Sequence, residues 1–122
     1  MQVPTIEEGA IGRKDDKGKL RYSLISWQVI EALAAVLTFG AKKYSPNNWQ
    51  LLADPEERYE DAMWRHLMEY KKGNRLDSDS NLPHLWHAVT NLAFLIYFDS
   101  KKNSCSKGIS DAQMSYDNNK QV

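Results

Sequence analysis

A chain of 122 residues has room for one domain and one hydrophobic core. Its 42% hydrophobic content belongs to a folding, globular protein, and its 16 Lys and Arg balance its 16 Asp and Glu. That balance argues against a protein that coats DNA or RNA, although it leaves room for a local positive cluster around a small anion.

A single cysteine, Cys105, excludes an internal disulfide and a thiolate metal site. The opening residues, MQVPTIEEGA, are acidic and lack the apolar centre of a signal peptide. The longest apolar stretch, Leu92 to Phe98, is too short to cross a bilayer. These features predict a cytoplasmic protein with neither a membrane nor a nucleic acid polymer as partner.

In chain order, residues 1–12 are expected to form a flexible N-terminus, 13–99 a helical domain and 100–122 a polar C-terminal tail. The run IGRKDDKGKLRYSLI, charged and carrying Gly18, suits an ordered loop better than a helix. A first helix is predicted over 26–45, with Ser26 as N-cap. Trp27, Ile30, Leu33, Ala34, Leu37 and Ala41 recur at three- and four-residue steps, which predicts one buried face. Pro46 stops this helix near Tyr44, and Gly40 within it suggests close packing there.

Asp54 followed by Pro55 signals the next start: a capping carboxylate, then proline at the first helical position. Glu56 and Glu57 complement the positive end of that helix, which is expected to run to about Lys72 and end at Gly73. A third helix is predicted from near Pro83 to roughly Asp99, apolar around most of its circumference, so it needs cover on several sides. The fold expected is therefore all-α, three main helices in a bundle completed by oligomerisation, with an ordered N-terminal loop. No stretch reads convincingly as a strand.

Several polar groups sit where a core would not want them. His84, His87 and Asn91 share one stripe of the third helix. His-x-x-His on a helix can converge on one metal ion, or the two rings can simply be hydrogen-bonded to neighbours. On the second helix, Glu57, Asp61, Arg65 and Glu69 repeat every four residues, a spacing common in exposed charge ladders. Asp61 and Arg65 are flanked by Tyr59, Ala62, Met63, Trp64 and His66. If His66 faces the His84 stripe, three imidazoles and a carboxylate share a pocket able to hold a divalent cation. Glu31, the one acidic residue between Ser26 and Pro46, either faces water or serves as ligand or general base.

Positive charge gathers in KDDKGKLR and AKKY. Glycine lets backbone amides approach an anion, and lysines supply mobile charges for phosphates, but the Walker spacing is missing. Tyr44 and Trp49, around Pro46-Asn47-Asn48, either stack on a base or pack in the core.

These residues together resemble a known family. K-x-D-x-G-K-x-x-R from Lys14 to Arg21, FGAKKY-x-x-NNW from Phe39 to Trp49, Tyr59-x-Asp61-Ala62 with Arg65-His66, and D-x-x-S-x-L-P-H-L-x-H-A-x-x-N from Asp77 to Asn91 are similar to phage dATP/dGTP diphosphohydrolases. The resemblance runs from about Lys14 to Phe98. It implies hydrolysis of a purine deoxynucleoside triphosphate to the monophosphate and pyrophosphate. Related all-α nucleotide pyrophosphohydrolases hold magnesium or manganese with an E-x-x-E then E-x-x-D pattern. Here Glu57-x-x-Glu60 meets the first half, and His84-x-x-His87 stands where the second would be.

The expectation drawn from residues and resemblance is a metal-dependent diphosphohydrolase acting between the α- and β-phosphates. Lys14, Lys19, Arg21, Lys42 and Lys43, with Asp16 and Tyr44 beside them, would hold the nucleotide. Asn47, Asn48, Trp49 or Asn91 would contact base and sugar. Glu31, Asp61, His66, His84 and His87 would supply ligands for Mg²⁺ or Mn²⁺ and orient water, with Arg65 neutralising developing charge. The alternative is a nucleotide-binding sponge that sequesters a signalling nucleotide without cleaving it.

Overall fold

The computed structural model describes residues 11–103. Three helices carry the fold: α1 (Trp27–Lys43), α2 (Pro55–Lys71) and α3 (His84–Lys102). No strand occurs among the described residues. An isolated antiparallel bridge, Leu76 to Pro83, closes the loop between α2 and α3. No helix among them is long and apolar enough to cross a membrane. The expected flexible N-terminus and polar tail, Cys105 included, lie largely outside the described residues.

Local chemistry accounts for the helix ends. The Ser26 hydroxyl accepts the Val29 N–H at 3.4 Å, the cap expected at the start of α1. At the end of α2, Gly73 takes φ +95°, a backbone region that favours glycine. Its N–H donates to Tyr70 O at 3.0 Å, and the Asn74 N–H donates to Glu69 O at 3.0 Å. This is the double return bond that satisfies the last carbonyls of a helix. α3 continues past its expected end to Lys102, whose ammonium lies 2.9 Å from Glu56 at the start of α2. The ion pair joins the end of one helix to the start of the other, so α2 and α3 run antiparallel.

The start of α2 departs from expectation. Pro55 occupies the first turn, but the Asp54 side chain makes no capping bond and its backbone is left-handed, φ 49°. The proline ring disfavours αR geometry in the residue before it, and aspartate tolerates αL. In that conformation the carboxylate is not delivered to the helix N–H groups, and only the Asp54 carbonyl meets the helix, accepting from Arg58 N at 3.3 Å.

α3 is the central helix, packed against both α1 and α2. One end of this packing is aromatic. Trp49, on the short 3-10 turn Asn48–Leu51, stacks on Phe94 at 4.4 Å and meets Tyr97 edge-on at 4.8 Å. Tyr59 lies 4.8 Å from Phe94, and its hydroxyl donates to Trp49 O at 2.6 Å. Each such ring pair contributes about 0.5–1.5 kcal/mol beyond the area it buries. Trp49 is therefore packed against α3 but only half-buried, and it also lines a cleft between α1 and α3, so ring packing leaves both of its expected roles open.

α1 turns a different face inward from the one expected. Ala32 and Val36 are buried, whereas Trp27, Ile30 and Leu37 are 67%, 52% and 39% exposed. At 3.6 residues per turn the two stripes lie on opposite sides of the helix. Because α1 is apolar on both, periodicity alone does not select between them. Gly40 also differs from expectation: a Cβ there would meet nothing within 4 Å. The missing side chain opens space instead of admitting a close neighbour.

Candidate functional site

The loop between α2 and α3 builds a polar cluster at the other end of the helix pair. Asp77 N–H donates to Leu82 O, Asn81 N–H to Asp77 O and His84 N–H to Arg75 O, each at 2.8 Å. These bonds hold the loop closed over the first turn of α3. The Asp77 carboxylate accepts from both the N–H and the hydroxyl of Ser80, three residues on, each at 2.9 Å, a local side-chain-to-backbone bond of the kind aspartate favours. Ser80 Oγ in turn lies 2.6 Å from His87 Nε2 and accepts the Leu82 N–H at 3.1 Å. A hydroxyl has one proton. If it goes to Asp77, His87 must donate from Nε2, which fixes the tautomer of that ring.

Against this loop the three histidines gather. His66 Nδ1 and His84 Nδ1 are 2.8 Å apart, and the His66 ring stacks on His87 at 4.5 Å and 14°. His84 and His87 are each 8% exposed. Single ligand atoms of His66, Asp77 and His84 all lie within 4.8 Å of one another. His66 of α2 thus faces the His84 and His87 stripe of α3, and the three imidazoles come together. The carboxylate that joins them is Asp77, which the sequence offered only as the first residue of the motif running to Asn91. The missed signal was Asp77-x-x-Ser80, a spacing that lets the carboxylate cap a turn immediately before the His-x-x-His helix.

The environment sets the charge of these groups. Burial, then the neighbouring His87, pushes His66 down from 6.5 to about 4. Burial likewise lowers His87, against the opposing pull of Asp77. Burial acts to raise the Asp77 carboxyl, but the Ser80 N–H and hydroxyl, with the facing imidazoles, outweigh it and hold the group below its ordinary value. At neutral pH the cluster therefore offers neutral His66 and His87 rings beside an ionised carboxylate, the state in which such side chains bind metal.

Beside the cluster a cleft of about 780 Å³ opens between the C-terminal half of α1 and α3. His87, Asn91 and Phe94 form its α3 wall, while Gly40, Lys43, Tyr44, Asn47 and Asn48 line the opposite side. The volume falls within the usual range for small-molecule sites. The Asn91 Nδ2 donates to His87 O at 2.8 Å, which leaves its Oδ1 as an acceptor. Tyr44 is 65% exposed, and the Lys43 ammonium sits 5.5 Å from its ring centroid. The same ammonium pairs with Asp79 at 2.8 Å, tying the end of α1 to the α2–α3 loop.

Asp61 and Arg65 lie elsewhere. Both are exposed and line a smaller hollow of about 300 Å³ that shares Arg58, Tyr59 and Asn91 with the larger cleft. Arg58, which sequence analysis did not single out, is the basic residue common to the two. Its position one residue before Tyr59 was the available signal.

Glu31 and Lys42 are exposed on α1 and are not among the lining residues of either space. Lys14, Asp16, Lys19 and Arg21 are exposed on the N-terminal segment, where the Lys19 N–H closes a turn onto Asp16 O at 3.1 Å and Gly18 takes φ 80°. They do not line the cleft either. The AKKY turn and the histidine helix thus meet at one space, without the lysine-rich loop.

Residues 9–107 match the family model for the N-terminal part of dATP/dGTP diphosphohydrolases. The chain belongs to that family. A dATP/dGTP diphosphohydrolase of Salmonella phage PMBT28 is 41% identical to it over 86 residues. The aligned stretch is 70% of this chain and 29% of the phage protein, so the chain spans under a third of that relative's length. No solved structure matches the chain. The matched stretch contains the histidine cluster, the Asp77 loop and the whole cleft.

The lowered histidines make a pH signature. Folded His66 and His87 bind fewer protons than their unfolded forms between the unfolded value near 6.5 and the folded value, about 4 for His66. Stability therefore rises with pH across that window and is lost as pH falls through it. In metal-free protein the thermal midpoint should drop between pH 6.5 and about 5, before most carboxylates titrate, and His66→Gln should flatten the slope. A midpoint constant over that range contradicts the buried, neutral state assigned to these rings.

Proposed function

We propose that this chain hydrolyses a purine deoxynucleoside triphosphate, dGTP or dATP, to the monophosphate and pyrophosphate, assisted by a divalent cation. The observation that carries the proposal is a single cleft walled by the AKKY turn on one side and by His87 and Asn91 on the other. The name of the phage relative supports the substrate class.

Chemistry at the α-phosphorus needs an activated water, a held triphosphate and neutralisation of the departing pyrophosphate. His87 is neutral at pH 7 and already anchored through Ser80, so it is suited to accept a hydrogen bond from the attacking water. Lys43 and Arg58 at the cleft, with Arg65 in the adjoining hollow, provide positive charge for the phosphates as the bond to the bridging oxygen breaks. Asn91 Oδ1 and the asparagines of the turn are suited to a base edge, and Tyr44 to its face. The donor set of His66, Asp77 and His84 fits a divalent cation, which when bound would polarise phosphate oxygens and counter their charge.

We further infer that the working unit is a homo-oligomer, as the exposed Trp27, Ile30 and Leu37 stripe of α1 supports. Ile30→Glu with Leu37→Glu should shift the sedimentation coefficient to that of a monomer while helicity persists. A wild-type chain that already sediments as a monomer contradicts this assembly.

Incubation with each deoxynucleoside triphosphate and a divalent cation, followed by ion-exchange chromatography, should yield monophosphate and pyrophosphate from the purine substrates. Gly40→Leu, whose Cβ would meet nothing within 4 Å and whose side chain would project from the cleft wall, should preserve the fold and weaken nucleotide binding roughly tenfold or more, about 1.4 kcal/mol. Bound but unchanged nucleotide would instead support sequestration and overturn hydrolysis. Unaltered turnover in both Gly40→Leu and His87→Ala would place the chemistry outside this cleft.

A further inference from the structure

We propose that His66, Asp77 and His84 form a site for a nitrogen-preferring transition-metal dication of the Zn²⁺, Co²⁺ or Fe²⁺ class in preference to Mg²⁺, with Ser80 as the positioning residue for its carboxylate. The inference deepens the metal-assisted function and rests on it only for the purpose of the ion, not for its binding. The observation is the composition and closeness of the donors. Nδ1 of His66 and Nδ1 of His84 are 2.8 Å apart, and one ligand atom from each of His66, Asp77 and His84 lies within 4.8 Å of the other two. The donors come from three separate parts of the chain: α2, the closing loop and the first turn of α3.

Magnesium takes oxygen ligands in near-ideal octahedral geometry and gives up its water reluctantly. A pair of imidazoles with one carboxylate is a poor exchange for that water. Imidazole suits zinc, iron, nickel and copper, and two histidines with one acid, leaving positions open to exogenous ligands, are typical of catalytic zinc.

The surroundings are arranged to hold those donors. Asp77 is clamped by two bonds from Ser80, and Ser80 is itself fixed by Leu82 N–H and His87. His84 is 8% exposed, and its backbone is tied to Arg75 O at 2.8 Å. Outer partners of this kind typically govern metal affinity by ~10–100-fold.

The test uses the full chain stripped with a chelator and titrated with Co²⁺, whose visible absorption reports its ligand field. The expected result is one equivalent of Co²⁺ bound with intense visible bands, displaced by equimolar Zn²⁺ and not by a large excess of Mg²⁺. Asp77→Ala and His84→Ala should abolish the bands. Ser80→Ala, with circular dichroism confirming the fold, should weaken Co²⁺ binding by ~10–100-fold while leaving the bands present at saturation. Displacement of Co²⁺ by Mg²⁺, absence of Co²⁺ binding, or unchanged binding in Asp77→Ala and His66→Gln overturns the site. Substrate cleavage with Mg²⁺ and no bound transition metal overturns the metal assignment alone. Selective binding of Co²⁺ or Zn²⁺ without nucleotide cleavage upholds the site and removes the proposed hydrolysis.

Discussion

The contact on which the rest depends is the closure of the Asp77–Ser80 turn over the first turn of α3. Three polar rings packed between helices would ordinarily be an unfavourable inclusion, because buried polar groups need partners. Here the loop supplies them. Ser80 reaches His87, Asp77 faces the histidines, and His84 meets His66. Among the described residues no fully buried side-chain nitrogen or oxygen lacks a hydrogen-bond partner. The antiparallel α2–α3 pair is thus held by aromatic packing at one end and by an imidazole–carboxylate network at the other. α1 adds the wall that turns the second end into a cleft.

The helices were legible because their punctuation is local. Ser26, Pro55, Gly73 and Pro83 act through the conformations of one or two residues, so sequence is enough to locate them. The inward face of α1 was not legible, because a helix apolar on opposite sides presents two equivalent stripes and only tertiary packing chooses. Asp54 shows a different limit: its side chain suits a cap, but the proline that follows sets the backbone that decides where the side chain goes.

The polar cluster was half legible. Helical spacing alone puts His84, His87 and Asn91 on one stripe and allows His66 to join them. It says nothing about a loop residue, whose approach depends on how the chain returns. Asp77 enters the cluster through a turn in which Asn81 takes φ 61°, a long-range consequence of local geometry. Asp61 had the more suggestive helical context, yet it stands exposed with Arg65 in the neighbouring hollow. Family membership and geometry converge on the same stretch, since the matched residues enclose every side chain of the cluster and cleft.

A crystal structure with a dGTP analogue that cannot be cleaved between its α- and β-phosphates tests most directly whether cleft and imidazole cluster are one site. The account predicts the base between Tyr44 and Asn91, with the α-phosphate at the His87 end. An analogue seated on the exposed N-terminal lysines alone, with the cleft empty, would contradict it.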